Sequence, residues 1–138
     1  MGMNVKTAAD IRHMEQAGRL AAEALQYTGK FVKVGITTDE LDKIANDFIL
    51  SRDAVSACID YHGYPKAICT SVNEVICHGV PDGRVLKDGD IINIDVTVIK
   101  NGFHGDTSSM FKVGNVSDRA THLMNCAFEA MHRGIEVA

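Results

Sequence analysis

The stretch GDIINIDVTVIKNGFHGDTSSMFKVG, from Gly89 to Gly114, constrains the fold more than any other part of the chain. Ile92, Ile94, Val96 and Val98 alternate with Asn93, Asp95 and Thr97, which gives an extended segment one apolar and one polar face. Asn101-Gly102 follows, the dipeptide best suited to a two-residue type I′ hairpin turn. A loop of that length sets Lys100 opposite Phe103, Thr97 opposite Asp106 and Asp95 opposite Ser108. Asp95 and Asp106 then share the polar face as diagonal neighbours, roughly 7–8 Å apart at the backbone. A three-residue loop would shift the parity and send the two acids to opposite faces.

Two neighbouring carboxylates repel each other and resist desolvation. A divalent cation removes both problems, because carboxylate oxygens are its natural hard ligands, and two such groups can bridge a pair of ions. The pattern is equally that of a one-sided antiparallel sheet whose polar face is simply wet. Two carboxylates are also too few for a tight site. His104 and Asp106, at i and i+2 on one face, can also be read as a metal pair. His78 lies in ICHGVPDG, just before turn residues, and taken alone is either catalytic or an ordinary loop residue. His62, His122 and His132 show no ligand spacing, and GxSxG, HExxH and P-loop motifs are absent.

Around the hairpin, Ile11, Met14, Ala17, Ala21, Ala24 and Leu25 fall at helical spacing behind a Thr7/Asp10 capping box, with Gly29 as the stop. Thr37 and Glu40 open a second helix with Leu41, Ile44, Ala45, Phe48 and Ile49 as its buried stripe. AVSACIDY and KAICTSV, separated by HGYP, read as two strands paired around a turn. Ser117 opens a last helix with Leu123, Ala127, Met131 and Ile135 in one stripe. The order is ααββββα, an α+β arrangement with an antiparallel sheet and helices on one face. The last stripe needs a partner surface, which predicts that these residues belong to something longer or self-associate.

The remaining features narrow the class. The chain has 138 residues, 46% hydrophobic and 23% charged, enough for one domain with a true core or for half of a larger fold. Its net charge of −4 gives no electrostatic reason to expect nucleic acid or an anionic membrane as partner. The N-terminus has no apolar leader core and no apolar run reaches the length of a membrane span, so the expected location is cytoplasmic. Cys58, Cys69, Cys77 and Cys126 lack CxxC spacing and read as reduced thiols.

YHGYPKAICTSVNEVICHGVP together with DGDIINIDVTVIKNGFHGDTSSMF resembles the N-terminal half of a type I methionine aminopeptidase. The likeness begins near KTAADIRHMEQAGRLAAE and runs to about Gly114, so residues 1–138 are expected to form the N-terminal portion of such a catalytic domain. The resemblance implies a pita-bread fold, in which two pseudo-symmetric halves enclose a dinuclear centre of divalent ions (Co, Mn, Fe, Zn or Ni). It implies Asp95 and Asp106 as metal ligands, and His78 as the catalytic histidine that hydrogen-bonds the substrate. Cys58, Tyr61, His62, Tyr64 and Cys69 match positions in or beside the methionine side-chain pocket. Asn73 and Val75 match backbone positions that hold a monovalent cation. The implied partners are peptide and nascent-protein N-termini. Taken without the resemblance, Cys58 and Cys69 read as small core fillers, and Tyr61 and Tyr64 as rim residues. The family's remaining metal ligands, one His and two Glu, have no matching motif here. A non-catalytic binding module built on the same half-fold is therefore the rival reading.

Overall fold

The computed structural model describes residues 5–138; the first four residues of the N-terminal stretch read above for a leader lie outside it. Helix α1 (Ala8–Gly29) opens on the expected capping box: the Thr7 N–H donates to Asp10 Oδ2 at 2.8 Å, and the Asp10 N–H donates back to Thr7 Oγ1 at 3.2 Å. Helix α2 (Thr38–Leu50) repeats the device with Thr37 and Glu40 at 2.8 and 3.1 Å. Each box satisfies two N–H groups that the first turn of a helix leaves unpaired.

The sheet is built around the hairpin of β3 (Ile91–Lys100) and β4 (Phe103–Lys112), which pair along their whole length. Asn101 and Gly102 both take positive φ, 52° and 79°, as a type I′ turn requires. The register is the one the loop length dictates: Lys100 faces Phe103, Thr97 faces Asp106 and Asp95 faces Ser108.

The other edge of β3 corrects the sequence reading. β1 (Val55–Ser56) and β2 (Cys69–Val72) do not pair with each other. Both lie antiparallel against β3, β1 at Val98–Ile99 and β2 at Ile92–Asp95. Residues 57–68 leave the sheet between them, make a 3₁₀ turn at Tyr61–Gly63, and return. β3 offers one continuous row of free N–H and C=O groups, and two short segments can share it end to end.

The apolar face of β3 is completely buried at Ile92, Ile94, Val96 and Val98. α1 lies across β3 and β4 and contributes Leu20, Ala21, Ala24 and Leu25 to the same core; α2 adds Leu41, Ala45 and Ile49. Each Val, Leu or Ile side chain among them contributes about 1.5–3 kcal/mol on burial. At Gly105 α1 comes close to the sheet, since a Cβ there would sit 2.1 Å from the Ala17 carbonyl oxygen. In the first turns of α1, Ile11 and Met14 of the expected stripe are 49% and 41% exposed. Helix α3 (Asp118–Glu136) starts at the Ser117 cap but buries none of its residues, and its stripe of Leu123, Ala127, Met131 and Ile135 faces solvent. Among the described residues no helix is long and apolar enough to cross a membrane.

Candidate active site

The polar face of the hairpin forms the floor of a cavity of about 700 Å³. Asp95, Thr97, His104 and Asp106 rise into it from β3 and β4, because alternate residues of paired strands share a face. Thr97 Oγ1 donates to Asp106 Oδ1 at 3.1 Å. Asp95 is half-buried, and that desolvation, with the charge and hydrogen bonding of the adjacent Asp106, raises its pKa above the ordinary carboxylate value; His78 partly opposes this. The two acids are thus brought together, and among the described residues no lysine or arginine forms an ion pair with either. Their hard oxygen donors suit a divalent cation. Among the described residues no cluster of three or more His, Cys, Asp and Glu side chains forms around them, and His104 does not complete one.

The excursion between β1 and β2 supplies one wall. Cys58, Tyr61, Tyr64 and Cys69 all line the cavity. The neighbouring Cys69 thiol lowers the Cys58 pKa to about 7, while Cys58 and burial push Cys69 upward. All four cysteines are free thiols, as the sequence indicated. Tyr64 has its pKa raised, chiefly by burial, and its hydroxyl lies 3.0 Å from the Ile68 carbonyl oxygen and 3.1 Å from that of Gly79. Tyr61 is exposed at the rim with its ring against His62. His62 stands outside the cavity lining and, like Asp60 before it, has a left-handed backbone.

The same wall continues through His78 and Val80. Here the chain is docked on β2: the Thr70 N–H donates to the Gly79 carbonyl at 2.8 Å, and the Gly79 N–H donates to Ser71 Oγ at 3.2 Å. A Cβ at Gly79 would lie 2.2 Å from the Thr70 carbonyl oxygen, so only glycine allows this approach. His78 itself has φ of 54°, a conformation few side-chain-bearing residues adopt without local support. Asn73 and Val75 lie away from the cavity. Asn73 has φ of 55°, and its side chain bridges Asp90 and the Ile91 N–H at 2.8 and 3.0 Å.

Two parts of this arrangement have no signal in the sequence. The Tyr64 hydroxyl reaches across to the His78 segment, and Asp42, on α2, ties down the segment entering β2. Both are contacts between positions at least 15 residues apart, which no local spacing encodes.

Comparison with known proteins agrees with this geometry. Residues 12–138 match the model of metallopeptidase family M24. A methionine aminopeptidase of Escherichia coli (strain K12) is 52% identical over 99% of this chain, and one of Rickettsia prowazekii 46% identical over the same share. The crystal structure of the Rickettsia prowazekii enzyme superposes with a TM-score of 0.95 at 45% identity, covering 97% of this chain and 54% of that one. That of Thermotoga maritima methionine aminopeptidase gives 0.94 at 30% identity, covering 99% and 55%. The chain spans about half the length of these relatives, 53% in the two curated sequences, and its α+β architecture is half of their pita-bread fold. With its aspartate hairpin, docked histidine and family match over nearly its whole length, this chain belongs to metallopeptidase family M24.

Proposed function

We propose that residues 1–138 supply the N-terminal half of the active site of a metal-dependent methionine aminopeptidase, which removes N-terminal methionine from peptides and nascent proteins. The observation that carries this reading is one cavity lined by the two aspartates, His78 and a soft pocket of two thiols and two tyrosines. Asp95 and Asp106 are the residues to hold divalent metal, and family M24 is a family of metallopeptidases. Bound there, a divalent cation supplies Lewis-acid polarisation and activation of water. The remaining work falls to side chains of this chain. His78, on its docked loop, donates a hydrogen bond to the scissile carbonyl as negative charge develops on it. Cys58, Cys69 and Tyr64 offer the unbranched, polarizable methionine side chain an apolar slot with sulfur–sulfur and sulfur–aromatic contact. Tyr61 and His62 border its mouth. The carbonyls of Asn73 and Val75 form the monovalent-cation site. The place of action is the cytoplasm, and the exposed α3 stripe is a self-association surface.

The rival reading is a non-catalytic binding module. It is favoured by the lack, among the described residues, of a third metal-ligating side chain beside the aspartates. A chimera decides between the two: residues 1–138 replace the matching half of the Escherichia coli relative, and metal content and hydrolysis of a methionyl tripeptide are measured with and without chelator. Chelator-sensitive turnover with at least one metal per chain supports the peptidase. A folded chimera without metal or turnover supports the module.

A further inference from the structure

The wall of the pocket is held by a residue outside it. After leaving β1, the chain re-enters the sheet through Lys66, Ala67 and Ile68 before Cys69 pairs with Asp95. Ala67 and Ile68 are 2% and 0% exposed, yet their N–H groups lie outside the ladder of β2 with β3. Buried N–H groups need an acceptor. Both find the same one: Asp42 Oδ1, at 2.8 Å from the Ala67 nitrogen and 3.0 Å from that of Ile68. The carbonyls of these two residues are taken from other directions. Ser56 Oγ donates to the Ala67 oxygen at 2.6 Å, and the Tyr64 hydroxyl donates to the Ile68 oxygen. Lys66 pairs with Asp39 one turn earlier on α2 at 2.6 Å.

We propose that Asp42 is a positioning residue of the methionine pocket, clamping residues 66–68 so that Cys69 and Tyr64 are presented to the cavity at fixed depth. The functional meaning of the clamp rests on the peptidase reading above; the clamp itself does not. One carboxylate oxygen on the core-facing side of α2 replaces the ladder partners that the strand has not yet reached. Because a single oxygen accepts both bonds, the clamp depends on an acceptor at that point and not on negative charge. The Tyr64 hydroxyl, held between the Ile68 and Gly79 carbonyls, carries the same constraint across to the His78 segment. Asp42 therefore sets both segments of the wall from a helix that does not line the cavity.

The test uses the 138-residue chain and needs neither metal nor turnover. Alkylation of each cysteine by iodoacetamide is followed by peptide mass spectrometry. Cys126, exposed on α3 and away from the clamp, is the internal reference. In Asp42→Ala, two buried donors lose their acceptor, and Cys69 alkylation is expected to rise about tenfold relative to Cys126 through local opening. Asp42→Asn keeps an oxygen at the same place and is expected to stay within about twofold of the parent chain, a rescue that a charge-based role would not show. Amide hydrogen exchange supplies a reading even where Asp42→Ala does not fold: Ala67 and Ile68 are expected to be as protected as Thr70 in the parent and in Asp42→Asn. Unprotected Ala67 and Ile68 amides, unchanged Cys69 alkylation in a folded Asp42→Ala, or an Asp42→Asn as loose as Asp42→Ala would each overturn the proposal. Failure of the chimera to cleave peptide would leave these readouts untouched and would count only against the peptidase reading.

Discussion

Replacing Asp106 by Asn should stabilise the metal-free chain at neutral pH. Asp95 and Asp106 share one face of the hairpin as diagonal neighbours, and among the described residues no lysine or arginine is paired to either. Two unit charges about 4 Å apart at an effective dielectric of about 20 interact by about 4 kcal/mol. Asp106 is exposed and Asp95 only half-buried, so solvent screening reduces the repulsion to about 1 kcal/mol. Asn removes the charge but keeps an oxygen to accept the Thr97 hydroxyl. The sign with pH follows from Asp95, whose folded-state pKa is raised above the ordinary value of 3.8 by desolvation first and by Asp106 second. The folded chain therefore holds a proton that the unfolded chain has lost, and this contribution to stability is complete below about pH 3.8 and declines as pH rises through the folded value. Urea unfolding in EDTA should show Asp106→Asn ahead of the parent by about 1 kcal/mol near pH 7, with the gap narrowing toward pH 4. Excess divalent cation should reverse the order, because the parent gains more from binding. An Asp106→Asn chain that is less stable than the parent in EDTA at pH 7 would refute the reasoning, since the two acids would then not be an uncompensated pair.

Gly105→Ala should cost about 1–3 kcal/mol or more in urea unfolding, because its Cβ would meet the Ala17 backbone oxygen at 2.1 Å and α1 would have to lift from the sheet. In the chimera, His78→Ala should lower kcat by about 10²–10³ with metal content unchanged, the usual loss when a transition-state hydrogen bond is removed from a preorganised site; loss of metal instead would make His78 a ligand. The 138 residues alone should turn over a methionyl tripeptide at background rates, because two aspartates hold an ion weakly and one walled side cannot fix a scissile bond near attack geometry; family-like turnover would contradict this. Light scattering should show self-association that a Leu123→Lys, Met131→Lys double variant reduces, since both side chains lie on the exposed stripe of α3.

Local chemistry alone determined a good part of this protein. The Asn101-Gly102 turn favours a two-residue loop, and that length fixes every cross-strand pair up to Ile91 and Lys112, including the shared face of Asp95 and Asp106. Thr7 with Asp10 and Thr37 with Glu40 place two helix starts to the residue, because a capping box closes within four positions. Resemblance to a family added the positions of the pocket, and five of its residues, His78, Cys58, Tyr61, Tyr64 and Cys69, do line one cavity with the aspartates. Tertiary structure decided the rest. The sequence paired the two short strands with each other because adjacent β-rich runs around a turn usually do so. The free edge of β3 instead accepts both, and only that choice throws residues 57–68 outward to make a wall. Whether Ile11 and Met14 are buried depends on how α1 is seated on the sheet, and whether the α3 stripe is covered depends on surfaces other than those it meets here. The grip of Asp42 on Ala67 and Ile68, 25 and 26 residues away, arises because two buried amides run out of ladder just where a helix passes, and no periodicity in the sequence records such a meeting.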